Sequence, residues 1–110
     1  MPGQLSGKTA LVTGASSGFG AYLMTKTLAL EWARDGIRVN AIAPGYFDAD
    51  INDWLWETEG GKAMVRRVPQ RRLGTLADLD GPLLLLASDA SAQMTGAVLA
   101  VDGGHLVSSL

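Results

Sequence analysis

Apolar residues along this chain gather in short runs divided by glycine, proline and polar turns. Lys8–Thr13 is a β-prone run without polar alternation, the pattern of a strand buried on both faces. It leads into Gly14-Ala-Ser-Ser-Gly-Phe-Gly20. A helical segment follows from about Phe19 to Arg34 and stops at Gly36, a natural C-terminal signal. Ile37–Ala43 reads as a second buried strand, ended by Pro44-Gly45. Residues 46–72 are mixed: an acidic stretch, two tryptophans, then an arginine-rich stretch. Thr75 to Asp78 resembles a capping box with Asp in the Glu position and opens a helix into Leu83–Ser88. A third strand runs from Gly96 to Val101 and is closed by Asp102-Gly-Gly104. The order β-loop-α-β-α-β predicts an α/β fold with a parallel sheet and crossover helices, its strands near 8–13, 37–43 and 97–102. The first helix is expected to cross over right-handed between the first two strands.

That helix has an uneven surface. At about 100° per residue only Thr27, Glu31 and Arg34 form a polar stripe. Leu23, Met24, Leu28, Leu30, Trp32 and Ala33 spread over much of the remaining circumference. A helix this apolar calls for cover beyond the sheet, from its own domain or from a partner.

With 110 residues the chain is long enough for one small domain with a core. Hydrophobic residues make up 47%, above disordered compositions. The net charge of -2 argues against nucleic acid as a partner, because phosphate neutralisation needs a basic surface. The absence of cysteine removes disulfides and thiolate metal sites. Met1–Lys8 lacks the apolar stretch of a secretory signal, and Leu83–Ala87 is far too short to span a bilayer. The expectation is a cytoplasmic protein with no membrane contact.

The strongest chemical signal is the glycine loop. Glycines between a strand and a helix allow a tight turn and let phosphates approach the backbone, and the free N–H groups of the helix's first turn then bind a pyrophosphate. The spacing is G-x-x-x-G-x-G instead of the commoner G-x-G-x-x-G. Gly14, Ser16, Ser17, Gly18, Phe19 and Gly20 are the candidate residues; an ordinary glycine turn is the alternative.

The run Gly7-Lys-Thr-Ala-Leu-Val-Thr-Gly-Ala-Ser-Ser-Gly-Phe-Gly20 resembles the N-terminus of the short-chain dehydrogenases/reductases. Leu28-Ala-Leu-Glu-Trp-Ala-Arg-Asp-Gly-Ile-Arg-Val-Asn-Ala-Ile-Ala-Pro-Gly45 resembles their C-terminal half. Arg71-Arg-Leu-Gly74, Leu86-Ala-Ser-Asp89, Thr95-Gly96 and Val101-Asp-Gly-Gly104 follow in the family's order. The resemblance implies NAD- or NADP-dependent interconversion of alcohols and carbonyls on a doubly wound sheet. It makes this chain, 1–110, a single truncated dinucleotide-binding domain: a reduced Rossmann-like, three-layer unit with a parallel sheet of about three strands.

The departures are large. Family members are more than twice this length, and several strands and helices separate their glycine loop from the segment matching Leu28 onward. With that middle go the acid that holds the adenine ribose, the Asn-Asn-Ala-Gly loop and the catalytic serine. The join falls near Gly20–Tyr22. Tyr22-Leu-Met-Thr-Lys26 has the family's catalytic Tyr-x-x-x-Lys spacing, in which the lysine lowers the pKa of the proton-donating tyrosine. Aligned on Leu28–Trp32, however, the family's pair falls about two turns earlier, on Gly14 and Gly18. Tyr22 and Lys26 are therefore read as a packed tyrosine and a snorkelling lysine, and no catalytic residue is assigned.

Pro44 and Gly45 resemble the family's nicotinamide-side turn, although Ala49 stands where a threonine usually helps hold the carboxamide; a plain strand-ending turn is the alternative. Asp48, Asp50, Asn52 and Glu59 fall on calcium-loop positions, but Asp53 stands where the sharp turn needs glycine, so no metal is assigned. The favoured reading of this stretch is a mobile substrate loop with Trp54 and Trp56 as an apolar lid; a solvated acidic helix start with inward tryptophans is the other. Arg66, Arg67, Arg71 and Arg72 are read as a solvated loop, with a phosphate or acyl-carrier partner as the alternative, and His105 as terminal surface.

Three readings follow. The chain binds a nicotinamide dinucleotide weakly and is catalytically dead; or it is a homo-oligomerising module pairing through helix 21–34; or the deletion leaves no stable function, as in a defective gene product or a minimal fold made in the laboratory. An active enzyme is the remaining case.

Overall fold

The computed structural model describes residues 7–12, 19–49 and 52–107. Its centre is a three-stranded parallel sheet in the order β1 (Thr9–Val12), β2 (Arg38–Pro44), β3 (Val98–Val101). Thr9 pairs with Arg38 and Val12 with Ala41; Ala41 pairs with Val98 and Pro44 with Val101. The fold is the expected α/β unit, and each strand sits within a residue or so of its expected range, as strand ends do.

Helix α1 (Phe19–Trp32) links β1 to β2. A 3-10 turn, Ala33–Asp35, prolongs it, and Gly36 ends it at φ 73° with its N–H on the Ala33 carbonyl. That left-handed backbone is why glycine stands there. Val39, Ala41 and Ala43 turn to α1: Ala21 packs with Ala41 and Ala43 near its start, and Ala29, Leu28 and Trp32 with Ile37 and Val39 near its end. All five residues from Val39 to Ala43 are buried, as befits a central strand covered on both faces. The broad apolar surface of α1 is only partly covered: Leu23 and Met24 are each 47% exposed and Leu30 is 82% exposed.

The alternate residues of β2 point to the opposite face, where α4 (Asp80–Ala87) lies with the chain that follows it. Arg38 donates to the Ser91 carbonyl (2.6 Å), the Ser91 hydroxyl (2.8 Å) and the Ser88 carbonyl (3.3 Å). Asn40, fully buried, donates to the Met94 carbonyl (3.1 Å) and accepts from the Ala97 N–H (3.0 Å). The Val39 N–H reaches the Thr95 hydroxyl at 3.1 Å. Polar groups inside an apolar strand are tolerable only when paired like this. Here they stitch residues 88–97 onto the sheet. The Thr75–Asp78 capping box is present, at a 3-10 turn (Leu76–Leu79) that runs into α4.

Between β2 and α4 lie α2 (Asp53–Trp56) and α3 (Glu59–Arg67). The Thr58 hydroxyl caps α3 by accepting from the Gly61 N–H at 3.0 Å. Arg66 and Arg67 close that helix, which corrects their reading as loop residues: cations in a last turn oppose the helix dipole favourably. Among the described residues no helix is long and apolar enough to cross a membrane.

Candidate functional site at the carboxyl edge of the sheet

Parallel strands bring Val12, Pro44 and Val101 to one edge, and α1 begins at that same edge, since Ala21 in its first turn lies against Ala41 and Ala43. Ligands of open α/β sheets bind outside the carboxyl ends of the strands, against helix N-termini. Gly14, Ser16, Ser17 and Gly18 lie outside the described residues. Phe19 and Gly20 open α1. Among the described residues nothing stands within 4 Å of where a side chain on Gly20 would begin.

Pro44 ends β2, and Gly45 follows it onto the Asp102 turn. The Gly45 N–H donates to the Val101 carbonyl at 3.0 Å. A Cβ on Gly45 would lie 2.7 Å from Asp102 Cβ and 2.9 Å from its Cα. Asp102 in turn holds the C-terminal turn, its carboxylate accepting from the N–H groups of Gly104 (3.0 Å) and Leu106 (3.1 Å). Next to this turn a polar cleft of about 350 Å³ opens between Tyr46, Gln70, Arg72 and Gly103.

Tyr22 and Lys26 share one face of α1, with the Lys26 ammonium 5.2 Å from the centre of the Tyr22 ring. The ammonium donates to the carbonyl of Gly96, before β3. Lys26 thus ties helix α1 to the segment entering β3.

The segment after β2 folds back through a bridge between Phe47 and Gly74. Tyr46 stacks at a tilt on Trp56, with ring centres 5.9 Å apart, and meets His105 edge-on at 5.3 Å. His105 is half-buried in this aromatic cluster, which corrects its reading as terminal surface. The two tryptophans part company. Trp56 is half-buried, and its indole nitrogen is enclosed with no acceptor among the described residues. Trp54 is 68% exposed, in a cleft of about 570 Å³ that it lines with Asp48, Asp53, Trp56, Glu57 and Leu73. Asp53 starts α2, so the calcium-loop spacing is folded as a helix start. No group of His, Asp or Glu among the described residues is arranged to hold a metal.

Asp78 sits among hydrogen-bond donors at the turn before α4. The Thr75 backbone N–H (2.8 Å), then the Arg72 guanidinium (3.1 Å), hold its carboxyl below the usual 3.8.

Sequence reasoning missed Asp102 as an organiser of this edge, and Arg38 and Asn40 as organisers of the opposite end of β2. The signal for Arg38 and Asn40 was present: two polar residues at alternate positions of an otherwise apolar strand must find partners on one face.

Fold and edge together define a dinucleotide-domain type of α/β protein. The chain belongs to the short-chain dehydrogenase/reductase family. A family model described as enoyl-(acyl carrier protein) reductase matches residues 13–105. The 2-dehydro-3-deoxy-D-gluconate 5-dehydrogenase of Pseudoalteromonas atlantica is 46% identical over 84 residues, covering 76% of this chain and 33% of that protein. A short-chain dehydrogenase/reductase of Byssochlamys spectabilis is 39% identical over 98 residues, covering 89% and 32%. Among solved structures, a gluconate 5-dehydrogenase of Burkholderia cenocepacia in complex with NADP and tartrate is 37% identical with a TM-score of 0.74, covering 81% of this chain and 36% of that one. The chain thus spans about a third of the length of the curated relatives it matches, consistent with a missing middle.

Proposed function

We propose that this chain is a cut-down short-chain dehydrogenase/reductase that acts as one domain, binds NAD or NADP weakly and does not turn over substrate. The observation that carries the reading is that α1 begins at the carboxyl edge of the sheet, where Ala21 packs on Ala41 and Ala43 and β2 runs out into Pro44 and Gly45. Gly14, Ser16, Ser17, Gly18, Phe19 and Gly20 would hold the pyrophosphate, and Pro44 and Gly45 would border the nicotinamide end. The bound cofactor would supply hydride chemistry, and the relatives' solved complexes with NADP support its class. The fit is partial. Asp102 fills the space beside Gly45, and the Gly45 N–H is spent on Val101. Lys26, the one lysine at the family's spacing, is spent on Gly96.

With part of the contacts gone, affinity falls to a Kd on the order of hundreds of micromolar or worse. Calorimetric titration with NAD(H) and NADP(H), beside assays of alcohol oxidation and carbonyl reduction, tests the reading. Weak binding abolished by Gly14→Val, with background turnover, is expected. Low-micromolar affinity, or binding indifferent to Gly14→Val, overturns it.

A second reading is favoured by the exposure of Leu23, Met24 and Leu30: association of two or more copies through helix 21–34 in the cytoplasm. Light scattering at tens of micromolar, with Leu30→Glu as the disrupting variant, tests it.

A further inference from the structure

The charges of this chain are sorted along its sequence. Residues 48–59 contain five of the eleven acids and no lysine or arginine; residues 60–77 contain five of the nine bases and no acid. Asp48, Asp53 and Glu57 line the cleft of about 570 Å³ around Trp54. Lys62, Arg66 and Arg67 are exposed on α3, the last two at its C-terminal end. Among the described residues no ion pair joins Asp48 or Glu57 to any of these bases. From Glu59 to Arg67 the helix rises about 12 Å, too far for its basic end to reach back to its own cleft.

We propose that the acidic, tryptophan-lined cleft receives the basic end of α3 from a second copy of this chain, and that the exchange is reciprocal. A two-fold axis places each cleft opposite the other copy's Arg66 and Arg67, so one patch pair is used twice. Exposed ion pairs alone contribute little. The anchor is Trp54: an indole with most of its surface in water, between carboxylates, stacks an incoming guanidinium on its face while Asp48 or Glu57 takes the N–H groups. Tryptophan and arginine are the residue types that dominate association energetics. This surface is separate from α1 and does not depend on cofactor binding.

Charge reversal with rescue tests the pairing. Sedimentation of the full chain is followed from about 10 mM to about 1 M salt, over which the screening length falls from about 30 Å to about 3 Å. The dimer is expected to weaken about tenfold or more over that range, and Trp54→Ala to weaken it about tenfold at low salt. R66E/R67E and D48R/E57R are each expected to be monomeric and folded by circular dichroism. Mixed, they are expected to form a heterodimer, since one contact is then restored with reversed sign and the other is the native pairing. A dimer indifferent to salt and to both reversals, but lost with Leu30→Glu, assigns association to α1 and overturns the proposal. So does a chain monomeric at every salt whose basic end is saturated by pyrophosphate, and so does a mixture that stays monomeric while both variants remain folded.

Discussion

Asp102 occupies the space that a side chain on Gly45 would need: a Cβ built on Gly45 falls 2.7 Å from Asp102 Cβ. The contact locks the end of β2 to the turn after β3. Gly45→Ala must push that turn away, at a cost of about 1–3 kcal/mol typical of overpacking. Urea unfolding measures it. Unchanged stability together with weakened NADP binding would instead assign the glycine to the cofactor.

Asn40 bridges the Met94 carbonyl and the Ala97 N–H from a fully buried position. Asn40→Ala removes both partners from buried backbone groups, so a loss of about 2–4 kcal/mol is expected, larger than for exposed polar residues. Hydrogen exchange would show the loss of protection concentrated at residues 94–97.

Lys26 spends its ammonium on Gly96. Lys26→Met is therefore expected to lower stability by about 1–2 kcal/mol. Neither Lys26→Met nor Tyr22→Phe is expected to alter turnover, which stays at background. Measurable activity that disappears in Tyr22→Phe, with folding intact, would restore the catalytic pair.

Asp78 caps the turn before α4 with a carboxyl held below its ordinary value, first by the Thr75 N–H and then by Arg72. A depressed carboxyl adds stability above its unfolded pKa, near 3.8, and loses it as pH falls through the lower folded value. The gap in melting temperature between the native chain and Asp78→Asn should thus be full at pH 6 and shrink below about pH 4. A gap that widens in acid would contradict this assignment.

Arg71 holds φ 59°, a left-handed backbone unusual for a side-chain-bearing residue, while its N–H donates to the Val68 carbonyl at 2.8 Å. Arg71→Gly relieves that strain and is expected to leave stability unchanged or raise it by about 0.5–1 kcal/mol; Arg71→Val, β-branched, should lower it. Thermal melts of the two variants side by side decide the point.

Local chemistry determined the elements. Unalternating apolar runs gave the strands, Gly36 the helix stop, and Thr75 with Asp78 the capping box, because each signal acts within a few residues. The family was legible as well, through motifs in a fixed order. What sequence could not settle was where side chains with two uses go. Lys26 has the spacing of a catalytic residue, yet Gly96, seventy positions on, takes its ammonium. Gly45 has the setting of a cofactor turn, yet Asp102 fills its empty side. Trp54 and Trp56 look equivalent two residues apart, yet one meets Tyr46 and the other faces water. Arg66 and Arg67 read as loop until Thr58 capped a helix that carries them. Each of these outcomes depends on a partner distant in the chain or on the start of an element, and only packing of the sheet, α1 and the returning C-terminal segment brings those partners together.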